Sequence, residues 1–488
     1  MHGKTKVKVY GEEERNLMAS ASTVTGHSST SKFKYPKRPK GDEGEDKLSK
    51  LAESVIIHIL SFLPTKDAVR TSVLSKKWIH HWTSLTKLDI NDTVFFSPKK
   101  KTGGKQLFIN FVNRVLLLNK TSTREGVSLV ITNKYDVSLV NMWISSILMQ
   151  SLKYLHVDIR FELTFSNLTS HALFNCFRLT EMVLKLCCCA IRVPEGFIYF
   201  GQLKLMKLSG ITFTFDSYSV SKLHFPVLKR FETINCTWLS AYGVTLHAPL
   251  LEIVKVQQYT ESESPGPVSC AIKFSTSHLK EINYCGYVDY LPESIILLEP
   301  SSARNASLDI DLERWQWVDR VPETGSPVCQ LFKQFRHIKS LKFKGTEVLS
   351  EIKVADLPLF GNLSSLKLGS ITGELLFGFL AKSPVLNTLV FKRISELDKE
   401  FLDSAIVPDC LRSTLKVVKF GLVNGREEEV NLAKFLIENG LVLQRLSFSH
   451  SGFRRIYQSK AVEEFKEKIF SFKKGFSSGI VEFSHYYY

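Results

Sequence analysis

Nine cysteines, thirteen histidines and 64 lysines and arginines are the residues of this 488-residue chain that could do chemistry. The densest thiol group is Cys187-Cys188-Cys189, but adjacent residues on a strand point to opposite faces, so the triplet reads as packing rather than as a metal or redox centre. No Cys-x-x-Cys pair occurs and the cysteine count is odd, which argues against disulfide and zinc frameworks and for a reduced, intracellular setting. Gly103-Gly104-Lys105 imitates a phosphate loop, yet Lys99 and Gln106 stand where that motif needs glycine and serine or threonine. No nucleophile elbow, dinucleotide loop or zincin helix is present, and His80-His81 reads as a surface pair. The expectation is a non-catalytic binding protein without cofactor or metal.

What remains is charge. The 48 acidic residues leave a net +16, which raises nucleic acid or another acidic partner as a candidate. A membrane span is not expected: the longest run without Asp, Glu, Lys or Arg, Thr233 to Leu251, is broken by Asn235, Ser240, Gly243, His247 and Pro249. The N-terminus lacks the apolar core of a signal peptide, so the Asn-x-Ser/Thr triplets read as chance.

The elements that must position these charges come next. Residues 1–45 read as a disordered basic tail, with Lys34–Lys40 as a candidate nuclear-import cluster; a nuclear or cytoplasmic residence is expected. Over 46–92, Leu51, Val55, Ile56, Ile59, Leu60 and Leu63 share one helical face, and Pro64 stops that helix. A second helix should start near Thr65 and a third, N-capped by Ser75, should carry Trp78 and Trp82. Three short helices cannot bury these groups alone, so another surface must cover part of them. Val55 and Ile59 are expected to hold the helices together.

The string Leu51-Ala-Glu-Ser-Val-Ile-Ile-His-Ile-Leu-Ser-Phe-Leu-Pro64, followed by Thr71-Ser-Val-Leu-Ser-Lys-Lys-Trp78, resembles a plant F-box, with Ala52 where that family has proline. The resemblance implies docking on the Skp adaptor of a cullin–RING ubiquitin ligase, through Leu51, Ile56, Leu60, Leu63, Pro64, Val73, Leu74 and Trp78. Seven Lys/Arg against two acids over 47–87 (7 − 2 = +5) suit an acidic adaptor surface.

Residues 93–126 read as a linker and a capping helix built on Phe108, Phe111, Val112 and Val115. Over 127–404 the template Leu-x-x-Φ-x-Φ recurs, at Leu152, Leu179, Leu203, Leu228, Leu251, Leu279, Ile338, Leu363 and Leu386, then again at Leu415 and Leu443. Spacings of 23 to 29 residues, with one of 59 that leaves room for a copy near Leu308–Leu312, match leucine-rich repeats. Cys187 and Cys236 fall at the ninth position, which is buried in the usual repeat, and Cys188 and Cys189 are expected to be buried with them. From 405 to 488, Val407-Pro-Asp-Cys-Leu411 and the Glu427–Asn439 helix resemble the FBD domain. Glu427–Glu429 complement the dipole of that helix, and Gly440 is expected as its C′ residue.

The expected class is therefore α/β: a small three-helix F-box, a leucine-rich-repeat solenoid of parallel strands, and an FBD end. The expected function is substrate recognition for an SCF ubiquitin ligase, the concave strand face holding an unidentified target protein through Lys153, Tyr154, Lys204, Lys229, Arg230, Lys342 and Lys344. Their charge suggests an acidic or phosphate-bearing target. The alternatives are an F-box-derived scaffold that has lost the adaptor, or a basic nucleic-acid-binding repeat protein. The second has no reason to carry the F-box string, so nucleic acid and membrane are set aside.

Overall fold

The computed structural model describes residues 50–74, 78–96, 103–119, 123–196, 198–215, 221–240, 243–259, 270, 272–287, 295–299, 303–313, 325–345, 352–451, 456–472 and 479–486. The tail, its basic cluster and Ser75 lie outside them. Ala52–Tyr488 is one compact unit and Met1–Leu51 another.

The larger unit opens with helices α1 (Glu53–Leu60) and α2 (Thr65–Arg70). The expected third helix is replaced, among the described residues, by 3₁₀ turns at Thr71–Val73 and His81–Ser84. Local side chains compete there for the backbone: Thr71 Oγ1 donates to Ala68 O at 2.7 Å and Thr83 Oγ1 to His80 O at 2.6 Å.

A 16-stranded sheet follows, every strand pairing in parallel, and it begins earlier than the repeat template does. β1 (Lys87–Asn91) pairs with β2 (Thr123–Ile131), β2 with β3 (Ser151–Thr164) and β3 with β4 (Glu181–Val193). Leu85, Leu88 and Ile90 fit the template, so the end of the F-box segment is itself the first repeat strand. The helix expected as a cap, α3 (Gly104–Leu118), is the return segment between β1 and β2. The second strand escaped the template because Arg124 occupies its leading position, in register with Leu152. The sheet runs on without a break, through Ser307–Glu313 in the long gap, to Val417–Phe420, Arg445–Ser451 and Ile480–Tyr486. Residues 405–488 thus supply the last three strands of the same sheet.

Return segments are helical at both ends of the array, as in α4 (Val137–Leu148) and α5 (Asn167–Phe174), and extended in the middle. There Ile198–Tyr199, Ser221–His224, Val244–His247, Ile272–Ser275 and Ile295–Leu297 form a second, five-stranded parallel sheet. The cause is local: Lys222-Leu-His-Phe225 alternates with period two, and Leu223, Leu246, Phe274 and Leu297 all point inward and are buried. Pro226 and Pro249 close two of these strands without needing a ladder amide. The core lies between the layers, where Phe200 stacks on Phe225 at 5.4 Å and Phe231 meets Phe274 edge-on at 5.6 Å.

Two expectations are corrected. Only Cys189 of the triplet is buried; Cys187 and Cys188 are exposed. Cys188 adopts φ 50, and the β4 register jumps from Lys185 to Cys189, so a bulge moves the buried ninth-position slot two residues along. Gly210 opposite is required, since a Cβ there would lie 1.9 Å from Leu186 O. Gly440 caps the Glu427–Asn439 helix with φ −85 rather than a left-handed turn; glycine is needed because a Cβ would stand 2.5 Å from Leu436 O.

Candidate functional site: the F-box face and the adjoining sheet surface

The F-box residues divide by burial. Ile56 and Leu60 are fully buried and Trp78 is nearly so, which makes them braces; Leu51 is half-buried. Phe62, Val73 and Leu74 are 74%, 87% and 65% exposed, and Leu63 and Pro64 are exposed beside them. Val55 and Ile59, expected inside, are 43% and 37% exposed; α1 buries only Ile56 and Leu60. Trp78 and Trp82 are both buried, 5% and 3% exposed. Ala52 holds φ −63 at the start of α1, the value a proline ring imposes, so the family geometry persists without the ring.

The F-box is fastened to the sheet at three points. Buried Thr65 accepts a hydrogen bond from Asp89 N on β1 at 2.7 Å. Lys66 Nζ donates to Val94 O and lies 4.4 Å from the centre of the Phe95 ring. Fully buried Asp92 accepts four bonds, from the amides and side chains of Thr132 and Asn133 at 2.8–3.0 Å, tying the end of β1 to the end of β2.

The solvent face of the sheet carries rows of aligned side chains. Of the proposed target contacts, Tyr154, Arg230, Lys342 and Lys344 lie in these rows; Lys153 is the exposed third residue of β3, and Lys204 and Lys229 stand exposed just before their strands. Most of the cations already have carboxylate partners: Lys342 with Asp309 at 2.6 Å, Lys344 with Asp311 at 2.7 Å, Arg230 with Glu232 at 3.4 Å and Lys229 with Glu252 at 3.9 Å. Asp311 raises the Lys344 pKa through that hydrogen bond. These four cations are neutralised locally, by an acid one repeat away for Lys229, Lys342 and Lys344 and two residues along the same strand for Arg230.

A cavity of about 470 Å³ opens where the F-box loop meets the first four strands, lined by Ser61, Leu63 and Thr65 on one side and by Asp89, Gly126, Tyr154, His156, Glu181 and Val183 on the sheet. His156 Nδ1 is 3.2 Å from Ser128 Oγ, and burial, then Lys185, lowers the imidazole pKa. Composition carries no mark of this cavity; it arises from β1, which the template assigned to no repeat. Among the described residues no group of three or more His, Cys, Asp or Glu could hold a metal ion, and no helix is long and apolar enough to cross a membrane.

A small helical module whose last strand begins a parallel repeat array defines the class, and comparison with known proteins agrees. The F-box domain family model matches residues 48–89 and the FBD model residues 403–448. The chain carries an F-box and an FBD domain at the two ends of a leucine-rich-repeat array. It is 29% identical over 450 residues to an F-box/FBD/LRR-repeat protein of Arabidopsis thaliana, covering 88% of this chain and 92% of that one. It is 28% identical over 429 residues to the F-box/LRR-repeat protein 13 of the same plant (84% and 91%), and 27% over 470 residues to an FBD-associated F-box protein (87% and 96%).

Proposed function

We propose that this chain is the non-catalytic substrate-recognition subunit of an SCF ubiquitin ligase, its F-box docking the Skp adaptor and its sheet face binding the target. The observation that carries the reading is the split within the F-box: the bracing residues are buried while Phe62, Leu63, Val73 and Leu74 stay open to solvent. A free-standing module gains nothing from such exposed groups, and covering each contributes about 1.5–3 kcal/mol. The thioester chemistry belongs to the partners, in the nucleus or cytoplasm.

The test is retention of the Skp adaptor by purified full chain. Val73→Asp with Leu74→Asp should lower retention roughly 100-fold and leave the circular-dichroism spectrum unchanged, since both side chains are exposed. Undiminished retention overturns the reading. Retention of DNA or RNA that falls steeply with salt, in place of the adaptor, would favour the basic nucleic-acid-binding alternative.

A further inference from the structure

The cavity beside the F-box differs in charge from the chain that contains it. On a chain of net +16, its sheet wall presents Asp89 on β1 and Glu181 on β4, and neither carboxylate has an ion-pair partner among the described residues. The cation on that wall, Lys87, is already paired with Glu125 at 3.2 Å. Burial, then Lys185, lowers the His156 pKa and so disfavours its cationic form. Lys185 itself lies four residues beyond Glu181 on β4, in register with Asp158.

The surface between the carboxylates is shaped as well as charged. Lys87, Gly126, Tyr154 and Glu181 form one register row across β1 to β4. Gly126 leaves a gap in that row, over which Tyr154 leans: a Cβ on Gly126 would lie 2.9 Å from the Tyr154 Cβ. Leu63, 38% exposed, closes the gap from the F-box side. Three strand spacings plus a two-residue offset separate Asp89 from Glu181, about 15 Å between backbones. An extended peptide rises about 3.3 Å per residue, so it covers that distance in four to five residues.

We propose that this cavity takes an extended basic segment of the target, two arginine or lysine side chains four to five residues apart engaging Asp89 and Glu181, with an apolar residue between them against Tyr154 and Leu63. The proposal rests on the receptor reading and specifies its target: basic at this end of the array, not acidic. Arginine suits the site better than lysine, since its plane stacks on tyrosine and its fork matches a carboxylate. The walls lie on β1 to β4 and on the F-box loop, so the segment would be held beside the adaptor-docking face.

The experiment is selection of a displayed library of random peptides on immobilised full chain. Enrichment of basic pairs at the four-to-five spacing is expected, and the Asp89→Asn, Glu181→Gln double variant should retain the selected peptides roughly tenfold less. Both carboxylates are exposed, so the variant should keep its unfolding midpoint and, as a separate readout, its Skp adaptor. Enrichment of acidic peptides, absence of a basic pair, or equal retention by the double variant overturns the proposal. Loss of adaptor binding by the native chain, with the peptide result intact, overturns the receptor reading alone.

Discussion

Arg124 stands where the repeats that fit the template have a leucine or isoleucine, and replacing it with leucine should stabilise the protein. Its side chain is 2% exposed, and Nη2 donates to Asn119 O at 3.2 Å, but Nε and Nη1 find no hydrogen-bond partner. Burial pulls its pKa down to about 10. Each unmade bond of a buried donor costs about 1–3 kcal/mol, and the one bond made, charge-assisted, returns about 1.5–3. Leucine would meet Leu152 across the register and contribute about 1.5–3 kcal/mol of burial. From this must be subtracted the apolar stem that arginine already buries and the void left by a shorter side chain, together about 1–2 kcal/mol. The net is a gain of about 1–3 kcal/mol. Repeat arrays unfold by segments, so the direct assay is amide hydrogen exchange of β1 to β3 in the full chain, with urea unfolding followed by the fluorescence of buried Trp143 as a second measure. Slower exchange in Arg124→Leu is expected, and faster exchange in Arg124→Lys, which keeps the buried charge and loses the fork. If Arg124→Leu exchanges faster than the native chain, the reasoning that the charge is uncompensated is wrong.

Two further outcomes follow from buried polar groups. Glu429, 2% exposed, accepts the amides of Asn424, Gly425 and Arg426 at 2.9–3.2 Å, so Glu429→Ala should cost about 3 kcal/mol and raise exchange across Glu427–Asn439, with adaptor retention unchanged. The lowered pKa of His156, set by burial and Lys185 against the smaller pull of Asp158 and Asp89, means the unfolded chain binds the extra proton first. Its contribution to stability is full above the ordinary histidine value of about 6.5 and is lost as pH falls below it. In His156→Gln the acid-side decline of the unfolding midpoint should be shallower; an unchanged slope refutes the assignment.

The repeat strands were legible because an apolar pair at fixed spacing survives wherever a strand must bury one face. β2 was not, since its leading residue is an arginine. β1 was hidden because Leu85–Ile90 serves two structures at once. Helix-to-strand switching of the return segments hangs on a few alternating residues such as Lys222–Phe225. The Cys187–Cys189 misreading shows the limit of counting positions, as one bulge moves every later position. The lysines of the sheet face were visible, but the carboxylate partners of Lys229, Lys342 and Lys344 lie 23 to 33 residues away in sequence and become neighbours only through register. The exposed half of the F-box followed from its family pattern, though which residues brace and which face outward required the fold.

β1 both ends the F-box segment and starts the sheet, so among the described residues no linker separates Leu85 from the first repeat strand. On the proposed receptor reading, a bound target would be held at a fixed offset from the ligase core, and which of its lysines is modified would follow from where along the array it is gripped. On that reading the array would serve as a ruler with its zero mark at Lys87.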